Sequence, residues 1–297
     1  MIDYPAAQAV ALVVETGSFE RAARALNVTP SAVSQRVKQL EERLGVVLIE
    51  RGNPCTATEN GAWLCGHIAH VGVLESELMQ QMPGLRGETE RRVTISIAAN
   101  ADSVGTWFLG AIAPFTRGSE YLVNIAIDDE GHTAEWLERG RVLAAVTSFG
   151  EPVRGCRVTP LGVLRYQATA SPEFCARHFA DGVTAAVLAQ APALTFNHKD
   201  RLQQDWVRQV TGEAVVFPTH WLPSTQGFVD ASVAGIGWAL NPVSLVAGHL
   251  SAGRLIEIVP GATLDVPLFW QVSRFAADRL PELTRSVVAA GRQELVQ

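Results

Sequence analysis

The first sixty residues constrain this chain more than any other stretch, because three apolar stripes follow one another there, each bounded by a residue that starts or stops a helix. Ala6, Val10, Val13 and Val14 stand at helical spacing, and Thr16-Gly17-Ser18 then breaks that helix and offers Ser18 as N-cap for the next. A second helix over 19–26 places Ala22, Ala23 and Leu26 on one face. The turn Asn27-Val28-Thr29-Pro30 leads into a third helix starting near Ser31, with Pro30 where its fixed φ suits a first turn. Along this third helix Val33, Val37, Leu40 and Leu44 recur every three or four residues and face a core, while Ser34, Gln35 and Lys38 point elsewhere; Gly45 ends it. Two short helices crossing at small alanines and joined by a tight turn form a helix-turn-helix, whose second helix fits a DNA major groove. Residues 46–54 read as a strand and turn, a wing carrying Arg51 toward the DNA backbone or minor groove.

Charge limits how such a unit works. The 297 residues carry 24 basic against 30 acidic side chains, net −6, which argues against an indiscriminate polyanion binder. Within 18–51 the balance turns mildly basic, with Arg21, Arg24, Arg36, Lys38, Arg43 and Arg51 against Glu20, Glu41, Glu42 and Glu50. The length allows two or three domains with their own cores. Cys55, Cys65, Cys156 and Cys175 form no C-x-x-C pair, as expected of reduced thiols that only pack. With no apolar run of membrane-spanning length and no basic and apolar leader at MIDYP, the expected location is the cytoplasm, with no membrane partner.

From Thr58 a long helix is expected, with Leu64, Ile68, Val71, Leu74, Leu78 and Met82 every three or four residues until Pro83-Gly84 stops it. A stripe of that length between two domains is best buried against a second copy of itself. His67 and His70 beside Cys65 are too few ligands for a closed metal site, so no metal is expected.

The remaining two thirds alternate strand and helix: strands at 93–98, 121–127 and 142–147 around helices at 103–115 and 133–139. A second set has strands at 161–171, 193–197, 214–218 and 236–240, with helices at 203–210 and 225–234. Strands at 255–259 and 268–275 and a final helix over 281–296 complete it. The pattern gives two α/β lobes with the chain crossing twice between them, hence a hinged cleft that receives ligands at strand C-termini and helix N-termini. There is no G-x-S-x-G elbow and no phosphate-binding Lys loop, and Gly235-x-Gly237 runs into Trp238 instead of another glycine, so nothing calls for an enzyme or a cofactor.

Three segments line the expected cleft. Asn100-Ala101-Asp102-Ser103-Val104-Gly105-Thr106-Trp107 opens a helix whose free N–H groups, with the Ser103 and Thr106 hydroxyls, would hold a carboxylate; Ser103 serves equally as a plain N-cap. Asp128-Asp129-Glu130 ends a strand in three carboxylates that would attract a cation, although acidic residues are also simply favoured before a helix. Ser224-Thr225-Gln226-Gly227 starts a helix on the other lobe that would close on the ligand.

Gly17-Ser18-Phe19-Glu20-Arg21-Ala22-Ala23, the run from Thr29-Pro30-Ser31-Ala32 through Gln35-Arg36-Val37-Lys38-Gln39-Leu40-Glu41, and Leu44-Gly45 together resemble the winged helix-turn-helix of LysR-type transcriptional regulators. The resemblance implies an α+β multidomain chain: a winged helix-turn-helix over 1–57, a linker and dimerisation helix over 58–87, and a two-lobe α/β effector domain, like that of periplasmic binding proteins, over 88–297. Lobe I would take 91–161 and 268–297, and lobe II 162–267. It implies that Ser31, Ser34, Gln35, Arg36, Lys38 and Arg51 face double-stranded DNA, with Ser34 and Gln35 at base edges and Ser31, Lys38 and Arg51 at phosphates.

Further matches narrow the resemblance to the ArgP/LysG subgroup: Asn100-Ala101-Asp102-Ser103 with Thr106-Trp107, Asp129-Glu130 with Thr133, Arg139-Gly140 with Ala145-Val146-Thr147, Phe196-Asn197-His198-x-Asp200, Gly227-Phe228 and Phe269-Trp270-Gln271. Leu143 agrees with that subgroup, where many other LysR-type chains carry an acidic residue. The subgroup implies a homodimeric or homotetrameric regulator that senses L-lysine, L-arginine or L-histidine and controls an amino-acid exporter gene. Its effector would meet Asn100, Asp102, Ser103, Thr106, Trp107, Asp128, Asp129, Glu130, Thr147, His198 and Thr225. A chromosome-binding inhibitor of replication initiation from the same subgroup, and a solute-binding α/β protein whose N-terminal helices only dimerise, are the competing readings.

Overall fold

The computed structural model describes residues 2–82, 92–128 and 133–297. Its first domain follows from local signals. Helix α1 (Tyr4–Thr16) is capped by Asp3, α2 (Phe19–Ala25) by Ser18, and α3 (Pro30–Leu44) by Thr29, whose hydroxyl accepts from the Ala32 N–H at 3.2 Å. Gly45 ends α3 at φ 71°, a backbone angle that favours glycine. Ala6, Ala9, Val10, Val13, Ala22, Ala23, Val33, Val37, Leu40 and Leu48 form the core. Leu44, expected in that stripe, is instead exposed, because the helix has passed the edge of the core by its last turn. The wing is a minimal ladder of β1 (Ile49–Glu50) and β2 (Thr56–Ala57), shorter than the strand expected from 46. One carboxylate oxygen of Glu41 accepts from the Leu48 and Ile49 N–H groups at 2.8 and 3.2 Å, tying the wing to α3.

Helix α4 (Glu59–Gln81) starts at the Thr58 cap as expected, while Pro83-Gly84 lies outside the described residues. Its apolar residues do not form one face for one partner. Leu64, Cys65 and Ile68 pack on the first domain. Val73, outside the expected stripe, is buried in the core of the C-terminal region. Leu74, Leu78 and Met82 stay exposed. A Cβ on Gly66 would stand 2.4 Å from the Gly140 carbonyl oxygen, so α4 approaches the effector region as closely as glycine allows.

The C-terminal region contains β3 (Thr94–Ala99), α5 (Ala101–Ser103) continuing through a π turn at Val104–Phe108 into α6 (Leu109–Gly118), β4 (Leu122–Ile127), α7 (Thr133–Glu138) and β5 (Ala144–Thr147). Strand β3 pairs in parallel with β4 and β5. The long β6 (Cys156–Ala170) leads to α8 (Pro172–His178), α9 (Ala185–Leu188), β7 (Ala193–Thr195), α10 (Leu202–Thr211), β8 (Thr219–Trp221), α11 (Thr225–Val233), β9 (Ala239–Pro242), α12 (Val243–Ser251) and β10 (Ile256–Glu257). The chain returns through β11 (Thr263–Ser273) and finishes with α13 (Arg274–Arg279) and α14 (Pro281–Glu294).

Strand β11 runs antiparallel to β6 along its whole length, and the two serve both lobes, one half beside β5 and the other beside β9 and β10. Their register breaks between Leu268 and Phe269, beside Gly162. Gly162 has φ 130°, and a Cβ there would meet the Val296 carbonyl at 2.8 Å. Residues 214–218 are not the expected strand; β8 lies just after them, and Val216 is 92% exposed. Strand β9 starts three residues later than expected, and Phe275 belongs to α13 instead of the last strand. Among the described residues no helix is long and apolar enough to cross a membrane.

Candidate DNA-binding face and ligand cleft

Helix α3 buries Val33, Val37 and Leu40 and turns the opposite face outward, with Ser31, Gln35 and Lys38 exposed and Ser34 and Arg36 half-buried. The Ser31 hydroxyl lies 3.0 Å from that of Thr29, at the helix start, where N–H groups favour a phosphate. Lys38 pairs with Glu42 only loosely, at 3.7 Å in solvent. On the wing, the exposed Arg51 guanidinium lies over the Phe19 ring, 5.3 Å from its centroid. The Thr58 hydroxyl, which donates to the Val47 carbonyl at 2.7 Å, and the backbone approach of Gly61 to Leu48, where a Cβ would meet the carbonyl oxygen at 1.9 Å, set the wing against the start of α4.

The cleft lies between the C-terminal ends of β3 and β4 and the start of α11. Asn100, not Ser103, caps the helix after β3, accepting from the Ser103 N–H at 3.1 Å. Two residues on, in the first turn, Asp102 is bridged on both sides: Tyr166 donates to one carboxylate oxygen at 2.8 Å and Thr225 to the other at 2.6 Å. Thr225 belongs to the opposite lobe, so this contact closes the cleft, and a Cβ at Gly105 would touch the Thr225 methyl at 3.2 Å. At the mouth, Asp128 accepts from the Trp136 indole at 3.0 Å and pairs with Lys199 of the other lobe at 3.2 Å. Asp200 is buried and accepts from the Phe196 and Leu202 N–H groups at 2.9 and 3.0 Å, which fixes the loop carrying Lys199.

Asn100, Ala101, Asp102, Asp128, Phe196, Asp200, Leu202, Thr225, Phe228 and Leu240 line a cleft of about 30 Å³, too small for an amino acid, so a ligand of that size requires the lobes to part. Among the described residues, Asn100 Nδ2 in the lining and Ser103 Oγ one turn behind it are buried without a hydrogen-bond partner, as is Thr195 Oγ1 at the end of β7. Buried polar atoms of this kind leave hydrogen-bonding capacity that a water or ligand can use.

Four of the effector residues expected from sequence, Asn100, Asp102, Asp128 and Thr225, are thus brought together. Thr106 is not free to reach a carboxylate, since its hydroxyl donates to the Asp102 carbonyl at 2.6 Å, and Trp107 is buried in the lobe core against Phe108. Thr147 is turned to Gln271 and the Phe149 carbonyl. His198 is exposed and lies on Trp221, with ring centroids 4.2 Å apart. Asp129 and Glu130 lie outside the described residues. Sequence reading missed Tyr166, Lys199, Leu202 and Leu240, all of which reach the cleft through long-range contacts.

Elsewhere, burial pushes Cys65 and Cys175 up to about 11 and raises Cys156, so these thiols stay protonated and unreactive. His67 bonds the Tyr4 hydroxyl at 3.1 Å and His70 packs on Phe275. No group of three His, Cys, Asp or Glu side chains able to hold a metal occurs among the described residues.

Two family descriptions match: "Bacterial regulatory helix-turn-helix protein, lysR family" over residues 6–62, and "LysR substrate binding domain" over 88–294. The regulator LysG of Mycobacterium tuberculosis is 43% identical over 289 residues, 97% of this chain and 93% of its own. The crystal structure of ArgP from Mycobacterium tuberculosis superposes with a TM-score of 0.78 at 42% identity, covering 100% and 99% of the two chains. Full-length LysG from Corynebacterium glutamicum with bound effector Arg gives 0.68 at 34% identity, covering 100% of both.

Proposed function

The chain belongs to the LysR family of bacterial helix-turn-helix transcriptional regulators, and from its likeness to LysG and ArgP and the chemistry of its cleft we propose that its effector is a basic amino acid, lysine, arginine or histidine, and its target an amino-acid exporter gene. The observation that carries the ligand is the pair of carboxylates, Asp102 and Asp128, that lobe I presents to lobe II across one cleft. Asp128 would receive the cationic side chain and Asp102 the α-ammonium, while Asn100 Nδ2 and Ser103 Oγ, buried and without partners, would take the α-carboxylate. An ion pair at 4 Å near a protein surface is worth at most about 4 kcal/mol before desolvation, enough to select basic over neutral amino acids. The LysG structure with bound arginine supports the same class, and the exporter target follows from the resemblance to the ArgP/LysG subgroup.

In this reading residues 1–57 bind DNA, 58–87 pair protomers, and 88–297 sense the ligand, in the cytoplasm. Ser34 and Gln35 would read bases and Ser31, Arg36, Lys38 and Arg51 would hold the backbone, while Leu74, Leu78 and Met82 offer α4 to a second copy in a dimer or tetramer. Calorimetric titration of the full chain with arginine, lysine, histidine and the neutral isostere citrulline tests the ligand class. At least one basic amino acid should bind, with an affinity about tenfold or more weaker after Asp128→Asn; citrulline binding as tightly as arginine would refute it.

A further inference from the structure

Resting on that reading of the cleft, we infer that Lys199 is a tethered competitor of the effector: its ammonium occupies the Asp128 oxygen that a basic side chain needs, so binding exchanges one cation for another. Nζ of Lys199 lies 3.2 Å from Asp128 Oδ1, while the Trp136 indole holds Oδ2 at 3.0 Å. The indole turns the carboxylate so that Oδ1 is the oxygen offered across the cleft, and the lysine takes it. The lysine is not there by chance of a loose loop. Asn197 accepts from the Lys199 and Asp200 N–H groups at 2.7 and 3.2 Å, and the buried Asp200 carboxylate accepts from Phe196 and Leu202. Four hydrogen bonds therefore fix the backbone from which the side chain reaches across, and its stem is the mobile part.

The pair is partly open to solvent, with Lys199 49% and Asp128 22% exposed at the side chain, so the bond is exchangeable instead of locked. Two cations cannot share one carboxylate oxygen without mutual repulsion, so an arginine or lysine side chain arriving at Asp128 displaces the ammonium into solvent. A ligand without a cationic tail leaves the pair in place. The internal lysine therefore lowers affinity for basic ligands selectively, and sets the concentration at which the cleft responds.

Removing the charge while keeping the length, Lys199→Met, should tighten arginine and lysine binding about two- to fivefold, the range expected for a partly exposed ion pair. Lys199→Arg should return the affinity to the wild-type value, and the weak binding of citrulline should not change between variants. Calorimetric titration of the full-length chain with each ligand reads this, with thermal unfolding confirming that both variants fold. Equal or weaker arginine binding by Lys199→Met while the wild type binds arginine overturns the competitor and makes the lysine a clamp on the bound form. Absence of arginine, lysine and histidine binding by the wild type removes the basic-amino-acid reading and the competitor with it.

Discussion

Thr225 shares the closure of the cleft with Tyr166 and Lys199, and Thr225→Val measures its part. The Thr225 Oγ1 proton is donated to an Asp102 oxygen at 2.6 Å, the shortest contact between the helix starts of the two lobes, and Thr225 is 8% exposed. A hydrogen bond to an ionised acceptor contributes about 1.5–3 kcal/mol, and valine replaces the donor with a methyl group while keeping the branched shape. Tyr166, which also belongs to the opposite lobe, still holds the other oxygen at 2.8 Å, so Asp102 keeps one of its two ties across the cleft. A loss of 1.5–3 kcal/mol shifts the closed-to-open equilibrium about 10- to 150-fold toward parted lobes. Distances between spin labels on the two lobes, together with small-angle scattering, should show the separation in Thr225→Val. A double-mutant cycle with Asp102→Asn, read by thermal unfolding, should give a coupling of the same order. An unchanged label distance together with a coupling near zero would sink the argument, because the bridge would then carry no closing energy.

Gly66→Ala should destabilise the chain by about 1–3 kcal/mol in thermal unfolding, since its methyl group would press on the Gly140 carbonyl at 2.4 Å; a neutral effect would mean that α4 does not dock there. In DNA-binding titrations, Gln35→Ala should cost about 1–3 kcal/mol and relax preference at one base pair, whereas Lys38→Ala should weaken binding to all sequences and reduce the salt slope by about one; an identical pattern for both would refute the assigned roles. Burial, and then the nearby His67, hold His70 below the ordinary histidine value, so the unfolded chain takes up its proton first as pH falls. Stability should therefore drop as pH falls from about 6.5, the unfolded value. Denaturant titration should show a smaller acid loss in His70→Gln than in the wild type, and equal losses would exclude this source.

The first domain was legible because its signals are local. Ser18, Thr29-Pro30 and Gly45 mark helix ends within the segments they end, and the Val33, Val37 and Leu40 stripe is buried as spacing predicts. What periodicity withheld is the identity of the covering surface. It placed Leu64, Ile68 and Leu74 on one face of α4, but the first two pack on the DNA-binding core and the third is exposed, while Val73 fills the effector core from outside that stripe. The same limit moved the strand predicted at 214–218. An Ala-Val-Val-Phe run has strand composition, yet pairing is decided by β7, and β7 meets Thr219–Trp221 instead. In the cleft, Asp102 was readable at a helix start, but Tyr166 and Thr225 join it from 64 and 123 residues away, and the Lys199 pair spans 71. No local pattern encodes such partners.

How ligand occupancy would reach DNA follows from the element that touches both ends. Asp128 accepts from the Trp136 indole on α7, the Arg141 guanidinium lies over that ring with 5.6 Å to its centroid, and Gly140 between them meets Gly66 and Trp63 of α4. Exchange of Lys199 for a ligand cation at Asp128 would therefore act on a carboxylate whose second oxygen is already bonded to α7, the helix just before the turn that meets the linker. The Gly66 backbone meets the Gly140 carbonyl too closely for any side chain between them, so a shift of the turn after α7 would press directly on α4. Since α4 also packs through Leu64 and Ile68 on the core that carries α3, the same helix would set the angle at which Gln35 and Arg51 present themselves. Such coupling is reciprocal: whatever factor the effector applies to operator affinity, operator DNA must apply to effector affinity. Gly66→Ala interrupts the contact while leaving Asp128, Lys199 and α3 intact, so it should abolish this shared factor without abolishing either binding event.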